Sequence, residues 1–172
     1  MRRSTAVRSI LSAGLSLALA APAAAQIVRT PLGSAAVPIA AAVTVPAGYD
    51  TIYLSGVTAP VIDKAAPVGS VQAYGDTQTQ ASGALGRLQA TLQSLGLSFG
   101  DVVAAHVFLV GDPGRNGDID FAGLNAAWSK VFGTADQPNK PARSTVKVAG
   151  LVAPGPLVEI ELIAARPHAK AP

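Results

Sequence analysis

The chain has 172 residues, of which 49% are hydrophobic and 13% charged, and it contains no cysteine. Its length suits about one domain, and it is too apolar for a disordered chain. Without thiols it has no disulfide framework, thiolate nucleophile or zinc–cysteine site, and its two histidines, His106 and His168, do not make a multi-histidine metal centre.

Residues 1–25 have the form of a secretory signal peptide. Arg2, Arg3 and Arg8 make a basic start, Ile10 to Ala20 form a short apolar run, and Ala23-Ala24-Ala25 offer a cleavage site before Gln26. The apolar run falls well short of the roughly 20 residues that span a bilayer, so the segment reads as an address rather than an anchor. Arg2-Arg3 lacks the hydrophobic and basic continuation of a twin-arginine signal. The expected location is periplasmic or secreted after cleavage near Ala25, with no membrane attachment afterwards. The formal charge of +3 then disappears. Residues 1–25 hold three of the thirteen Lys+Arg and none of the ten Asp+Glu, which leaves ten of each on the remaining chain. A neutral domain has no electrostatic footprint for a phosphate backbone, so nucleic acid is not an expected partner.

In chain order, 26–36 reads as a flexible leader with Pro31, Gly33 and Ser34 and no periodicity. The domain proper is expected over 37–166. A first strand is expected over Val37–Val45, and Thr51–Val57 alternates as a second. Thr58 to Gly75 reads as a loop with a short strand near Val68–Ala73. Asp76 is a candidate N-cap for a helix whose Leu85, Leu88, Leu92 and Leu95 fall on one face, with Gly96 at its C′ position. Gly83 and Gly86 inside it are expected to mark close packing. Asp101–Val110 reads as a buried strand and Gly111–Gly117 as a polar loop. A second helix is expected from about Ile119 to Phe132, with Gly133 ending it. Two strands close the domain, Arg143–Ala149 and Leu157–Ala165, followed by a disordered tail, 167–172. The order β-β-α-β-α-β-β predicts an α+β fold in which a mixed sheet carries two helices on one face.

Strand alternation sorts the chemistry of the last two strands. Arg143, Thr145 and Lys147 share one side, and Glu159 and Glu161 share one side of the next strand. Both sets are expected on the sheet face opposite the helices, where cross-strand ion pairs such as Lys147 with Glu159 account for them simply. His106 reads as a packed or interface histidine with one hydrogen bond, on the same side as Val102, Ala104, Phe108 and Val110. No G-x-S-x-G elbow supports a serine hydrolase. Asp112, Asp118 and Asp120 lack the spacing of a calcium loop, and helix capping accounts for them better.

The segment PARSTVKVAGLVAPGPLVEIELIAA (Pro141–Ala165) resembles the signature of the Rid family, the YjgF-like reactive-intermediate deaminases. The resemblance runs upstream through DFAGLNAAWSKVFG and QASGALGRLQATLQSLGLSFGDVVAAHVFL, and more faintly to TIYLSG, so that it covers roughly Pro38 to Ala165. It implies a chorismate-mutase-like subunit that assembles as a homotrimer with clefts between subunits. It also implies hydrolysis of amino-acid-derived enamines and imines to keto acids and ammonia, without metal or cofactor. By matching positions, Arg143 would hold the substrate carboxylate, to which a planar guanidinium can donate two parallel hydrogen bonds. Glu159 would orient water or shuttle a proton, Ser55 would stand at the cleft rim, and Asn125 matches an asparagine of the second helix. Thr145 replaces the family's usual cysteine at a position that contributes its backbone N–H. Two departures alter the pocket. The stretch that carries a pocket tyrosine in the family's deaminases is here Ile39-Ala40-Ala41-Ala42, and Val57 stands where a glutamine often follows the SG pair.

The resemblance makes the chain an exported Rid-like hydrolase of a carboxylate-bearing imine or enamine. The alternative is a non-catalytic trimer that binds a small carboxylate or coats unfolded proteins, and an endoribonuclease is a third class that the neutral charge disfavours.

Overall fold

The computed structural model describes residues 25–169. Residues 1–24, which carry the export expectation, and residues 170–172 lie outside the described residues. Six strands and two helices follow one another as β1 (Val28–Pro31), β2 (Ala40–Thr44), β3 (Tyr49–Thr58), α1 (Thr77–Ser94), β4 (Val102–Val110), α2 (Phe121–Trp128), β5 (Ala142–Val148) and β6 (Val158–Pro167). The strands form one mixed sheet in the order β1-β2-β5-β4-β6-β3. Strands β2, β5 and β4 run parallel, and β6 runs antiparallel to both β4 and β3. The fold is the expected α+β sheet with two helices, extended by one strand at its start.

Local chemistry explains the helix boundaries. The Asp76 carboxylate accepts from the Thr79 backbone N–H at 2.8 Å and caps α1. Leu85, Leu88 and Leu92 are buried, whereas Leu95 is the C-cap residue and lies partly in solvent. Gly96 follows with φ of 71°, a left-handed conformation that favours glycine. A Cβ on Gly83 would stand 3.0 Å from Pro60, so that glycine does mark close packing, whereas Gly86 has nothing within 4 Å. Asp120 caps α2 by accepting from Gly123 N at 3.0 Å, and Asp112 accepts from Gly114 N at 2.8 Å. Helix α2 is shorter than expected and ends at Trp128, with turns carrying the chain on to Phe132.

Three expectations are corrected. The supposed leader forms β1, which pairs antiparallel with β2 from Val28↔Thr44 to Pro31↔Ala40. Arg29 anchors it by donating to the carbonyls of Gly100 and Val102 at 3.0 and 2.9 Å. Residues 68–73 form no strand; Pro67 and Gly69 lead into a short 3-10 turn at Val71–Ala73. The C-terminal tail is held further than expected, because β6 continues to Pro167 and His168 N donates to Gly48 O at 2.8 Å. The His168 ring also meets the Asp50 carboxylate at 2.6 Å.

Both helices pack on one sheet face. Leu85, Leu88 and Leu92 from α1 and Leu124 and Trp128 from α2 meet Val107, Leu109, Ile160 and Leu162 from the sheet. Phe132 stacks on Trp128 with ring centroids 4.4 Å apart and meets Phe99 edge-on at 5.1 Å. Among the described residues two polar side chains of α1, Thr77 and Gln80, are buried. Gln80 of α1 donates to Gly75 O at 2.8 Å and accepts from Leu157 N at 2.6 Å, which ties the helix to the start of β6.

Candidate functional site

Residues paired in register share a sheet face, and that assigns every candidate to a side. Arg143, Thr145 and Lys147 pair with Ala105, Val107 and Leu109, which are buried beneath the helices. Glu159 and Glu161 pair instead with Phe108 and His106, on the face that no helix covers. The expectation that the basic and acidic sets share the open face is therefore wrong. Alternation separates the two sides of each strand, but the pairing decides which sides coincide.

Arg143 lies in a bed made by α2. Its Nη2 donates to Asn125 Oδ1 at 2.8 Å, and its guanidinium carbon lies 4.7 Å from the centroid of the Trp128 ring and 5.7 Å from that of Phe121. These contacts orient the cation through the aromatic ring charge distribution. Its Nε and Nη1 are buried without a partner, as is the hydroxyl of Thr145 two residues on. Among the described residues no carboxylate lies within 4 Å of Arg143. Burial lowers the pKa of the guanidinium to about 10. A desolvated cation with unmade hydrogen bonds is costly unless something anionic completes it. Phe121, Asn125 and Trp128 recur at i, i+4 and i+7 of one helix face. That spacing was the available sign of the aromatic bed, which the sequence reading missed.

The strand that carries Arg143 also has an open edge. Strand β2 pairs with β5 only at Ala40↔Ala142, so from Arg143 onward that edge of β5 has no strand partner among the described residues. Beside it lies a cavity of about 350 Å³ lined by Ile39, Ala40, Ala41, His106, Arg143 and Ser144, among others. The small residues Ala40 and Ala41 of the Ile39–Ala42 stretch thus stand at the rim of the Arg143 cavity.

Glu159 occupies a different niche. Strand β3 bulges at Ser55-Gly56, two residues opposite Glu161, before pairing resumes with Val57↔Ile160 and Thr58↔Glu159. The bulge brings the Gly56 backbone against the Glu159 carboxylate, and a Cβ on Gly56 would collide with Glu159 Oε1 and stand 3.0 Å from Cδ. No cation lies within 4 Å of Glu159 among the described residues. The expected Lys147–Glu159 pair is absent, because Lys147 is on the other face and donates to Gly117 O at 2.6 Å.

The remaining candidates divide. Ser55 is exposed in the bulge. Val57 faces the core opposite Ile160 and packs on it, so it does not line the open face. His106 makes its one hydrogen bond with Glu161, Nδ1 to Oε2 at 3.3 Å. Val102 falls in the core rather than beside His106, because the pairing of β4 with β6 shifts between Val102 and Ala104. Among the described residues no three His, Asp or Glu side chains gather in a way that could hold a metal ion. A larger cavity of about 680 Å³, between Ser70, Asp76, Asp112 and Leu157, contains none of the candidate residues.

A family model described as endoribonuclease L-PSP matches residues 33–166. The chain belongs to this family, the YjgF/Rid family. A RutC family protein from Haemophilus influenzae is 38% identical over 92 residues, 53% of this chain and 65% of that protein. The chain thus matches just under two thirds of that relative's length. The crystal structure of E. coli TdcF with bound serine is 32% identical, with a TM-score of 0.52 over 71% of this chain and 84% of TdcF. The Rid-family protein YyfB from Yersinia pestis shares the fold with a TM-score of 0.55 at 24% identity, over 74% of this chain and 86% of YyfB. The family match over residues 33–166 brackets both Arg143 and Glu159.

Proposed function

We propose that this Rid-family protein is a hydrolase that releases ammonia from carboxylate-bearing imines or enamines and works outside the cytoplasm after loss of residues 1–25. The observation that carries the proposal is the half-buried Arg143, whose Nε and Nη1 lack partners and whose charge has no acid beside it among the described residues. An anionic substrate group supplies the missing countercharge. That TdcF was crystallised with serine, itself a carboxylate, supports the same ligand class.

Glu159 is the second functional group in this reading. It stands on the opposite sheet face from Arg143, so we infer a homotrimer in which Glu159 of a neighbouring subunit reaches the substrate held by Arg143. The uncovered face offers Tyr53 and Val146, both strongly exposed, as apolar surface for such a contact. Water then adds its oxygen to the imine carbon, with its proton accepted by the carboxylate. The nitrogen takes up that proton to give a carbinolamine. As the C–N bond breaks, the carboxylate passes the hydroxyl proton to the nitrogen, so that ammonia leaves and a keto acid remains. Imines hydrolyse in water unaided, so positioning and charge stabilisation suffice. The small residues at Ile39–Ala42 leave room beside Arg143, which suits a bulkier substrate side chain.

The test uses imino acids generated in place by an amino-acid oxidase, with their decay followed with and without the protein. Acceleration that vanishes in Arg143→Ala while trimer mass is retained supports the hydrolase. A trimer that accelerates no member of the panel, yet binds carboxylates through Arg143, would replace this reading with the non-catalytic binder. RNA cleavage is disfavoured by the neutral charge of residues 26–172.

A further inference from the structure

A separate cavity of about 470 Å³ lies between β1, the segment leading into β2 and Pro138–Lys140. It adjoins the Arg143 cavity across Leu32, Ile39 and Ala40 but is lined by neither Arg143 nor Glu159. Its walls divide by chemistry. Pro31, Leu32, Ile39 and Pro138 supply apolar surface, Arg29 and Lys140 supply two cations, and no acidic residue lines it among the described residues.

Arg29 is fixed in place and incompletely used. Its Nη2 donates to the carbonyls of Gly100 and Val102, while its Nη1 makes no hydrogen bond among the described residues and is not buried. Asp101 is the acid whose charge reaches it, but that carboxylate accepts from Ser98 N and Oγ at 2.8 and 3.0 Å. No carboxylate lies within 4 Å of Arg29 or Lys140 among the described residues. Burial, only partly offset by Asp101, holds the Arg29 pKa below its ordinary value. Lys140 Nζ donates to Ala35 O at 2.6 Å and has two further N–H groups. A concave, largely apolar cavity with a few converging polar groups is the usual form of a small-molecule site. Two cations without an acid fix the sign of its ligand.

We propose that this cavity is a second ligand site, which takes a small monoanion with an apolar body. The anionic group turns toward Arg29 and Lys140, and the apolar body lies on Leu32, Ile39 and Pro138. The proposal is independent of the hydrolase reading, since it uses neither Arg143 nor Glu159.

Hexanoate is the probe, titrated into the intact protein by calorimetry and followed at the Leu32 and Ile39 methyl resonances. Saturable binding that shifts both methyls is expected. Neutral hexanamide, and acetate with its minimal apolar body, should each bind at least about tenfold more weakly. Arg143 is itself read as a carboxylate site, and Leu32 and Ile39 line both cavities. The titration is therefore repeated in Arg143→Ala, where hexanoate should still bind saturably and Lys140→Gln or Arg29→Gln should each weaken it by about tenfold. Lys140→Gln keeps the test valid if Arg29→Gln unfolds, because the Lys140 ammonium is bonded to only one carbonyl. No saturable binding at millimolar hexanoate, equal binding of hexanamide, or loss of binding in Arg143→Ala alone would each overturn the proposal. Imino-acid turnover in Lys140→Gln reports separately on the hydrolase and is expected to be unchanged.

Discussion

Arg143 and Glu159 lie on strands separated by β4 and face opposite sides of the sheet. Arg143 sits beside Ala105 under the helices, and Glu159 sits beside Phe108 on the uncovered face. The sheet itself lies between the two groups in one chain. If they act on one substrate, the chains must supply them in turn.

Arg143 is expected to cost stability and confer activity. Arg143→Met keeps the side-chain volume on the Trp128 ring but removes a desolvated charge with two unmade hydrogen bonds. The ligand-free protein should gain about 1 kcal/mol, the trade expected where function requires a destabilised group, while imino-acid turnover disappears. Thermal melts and the oxidase-coupled assay check both halves; a melt lower than wild type would contradict the first.

The same burial sets a pH dependence. Arg143 titrates at about 10 in the fold, below its ordinary value, because desolvation disfavours the cation. Below pH about 10 the residue is charged in folded and unfolded chains alike, so its destabilising contribution is constant there. As pH rises through the folded value toward the ordinary one, the folded chain sheds the charge and that penalty is relieved. Carboxylate binding has the opposite need. Its affinity at Arg143 should be flat from about pH 7 to 9 and fall about tenfold per unit above about 10, measured by calorimetry.

Gly56 is a positioning residue for Glu159. A methyl group there collides with the Glu159 carboxylate, so Gly56→Ala should displace it without touching Arg143. The expected result is a fall in kcat of about a hundredfold, within the range of general acid–base contributions, with KM nearly unchanged. A comparable rise in KM would contradict this division of labour.

Gln80 is the buried polar tie between α1 and β6. Gln80→Ala leaves Gly75 O and Leu157 N without their side-chain partner inside the fold. The loss should be about 2–3 kcal/mol, the cost of stranding buried hydrogen-bonding groups, read from chemical denaturation. Gln80→Glu should be intermediate, since it keeps the acceptor for Leu157 N.

How much of this was legible in the sequence depended on range. The Asp76 cap, the Gly96 terminus and the Leu85-Leu88-Leu92 face are set by neighbours within a few residues, and each is where the pattern puts it. Strand β1 has only four residues and no periodicity; it is held by β2 and by Arg29 reaching Gly100 and Val102, some seventy residues away. His168 is likewise held by Gly48 and Asp50, on the far side of the chain. The family signature found Arg143 and Glu159, but alternation could not say that they face apart. That follows from β5 running parallel and β6 antiparallel to β4 in their particular registers. A polar residue at the helix-covered edge also looks misplaced until Asn125, Phe121 and Trp128 are seen to receive it.

Mixing Arg143→Ala with Glu159→Gln tests the shared site most directly. Each variant alone should be inactive. Subunits exchanged by joint unfolding and refolding should recover about a quarter of wild-type turnover, because random cyclic trimers place an intact Arg143 beside a neighbour's intact Glu159 at about one site in four. Recovery at that level is what a site built from two chains predicts. Mixed trimers, verified by mass, that remain as inactive as either parent would contradict it.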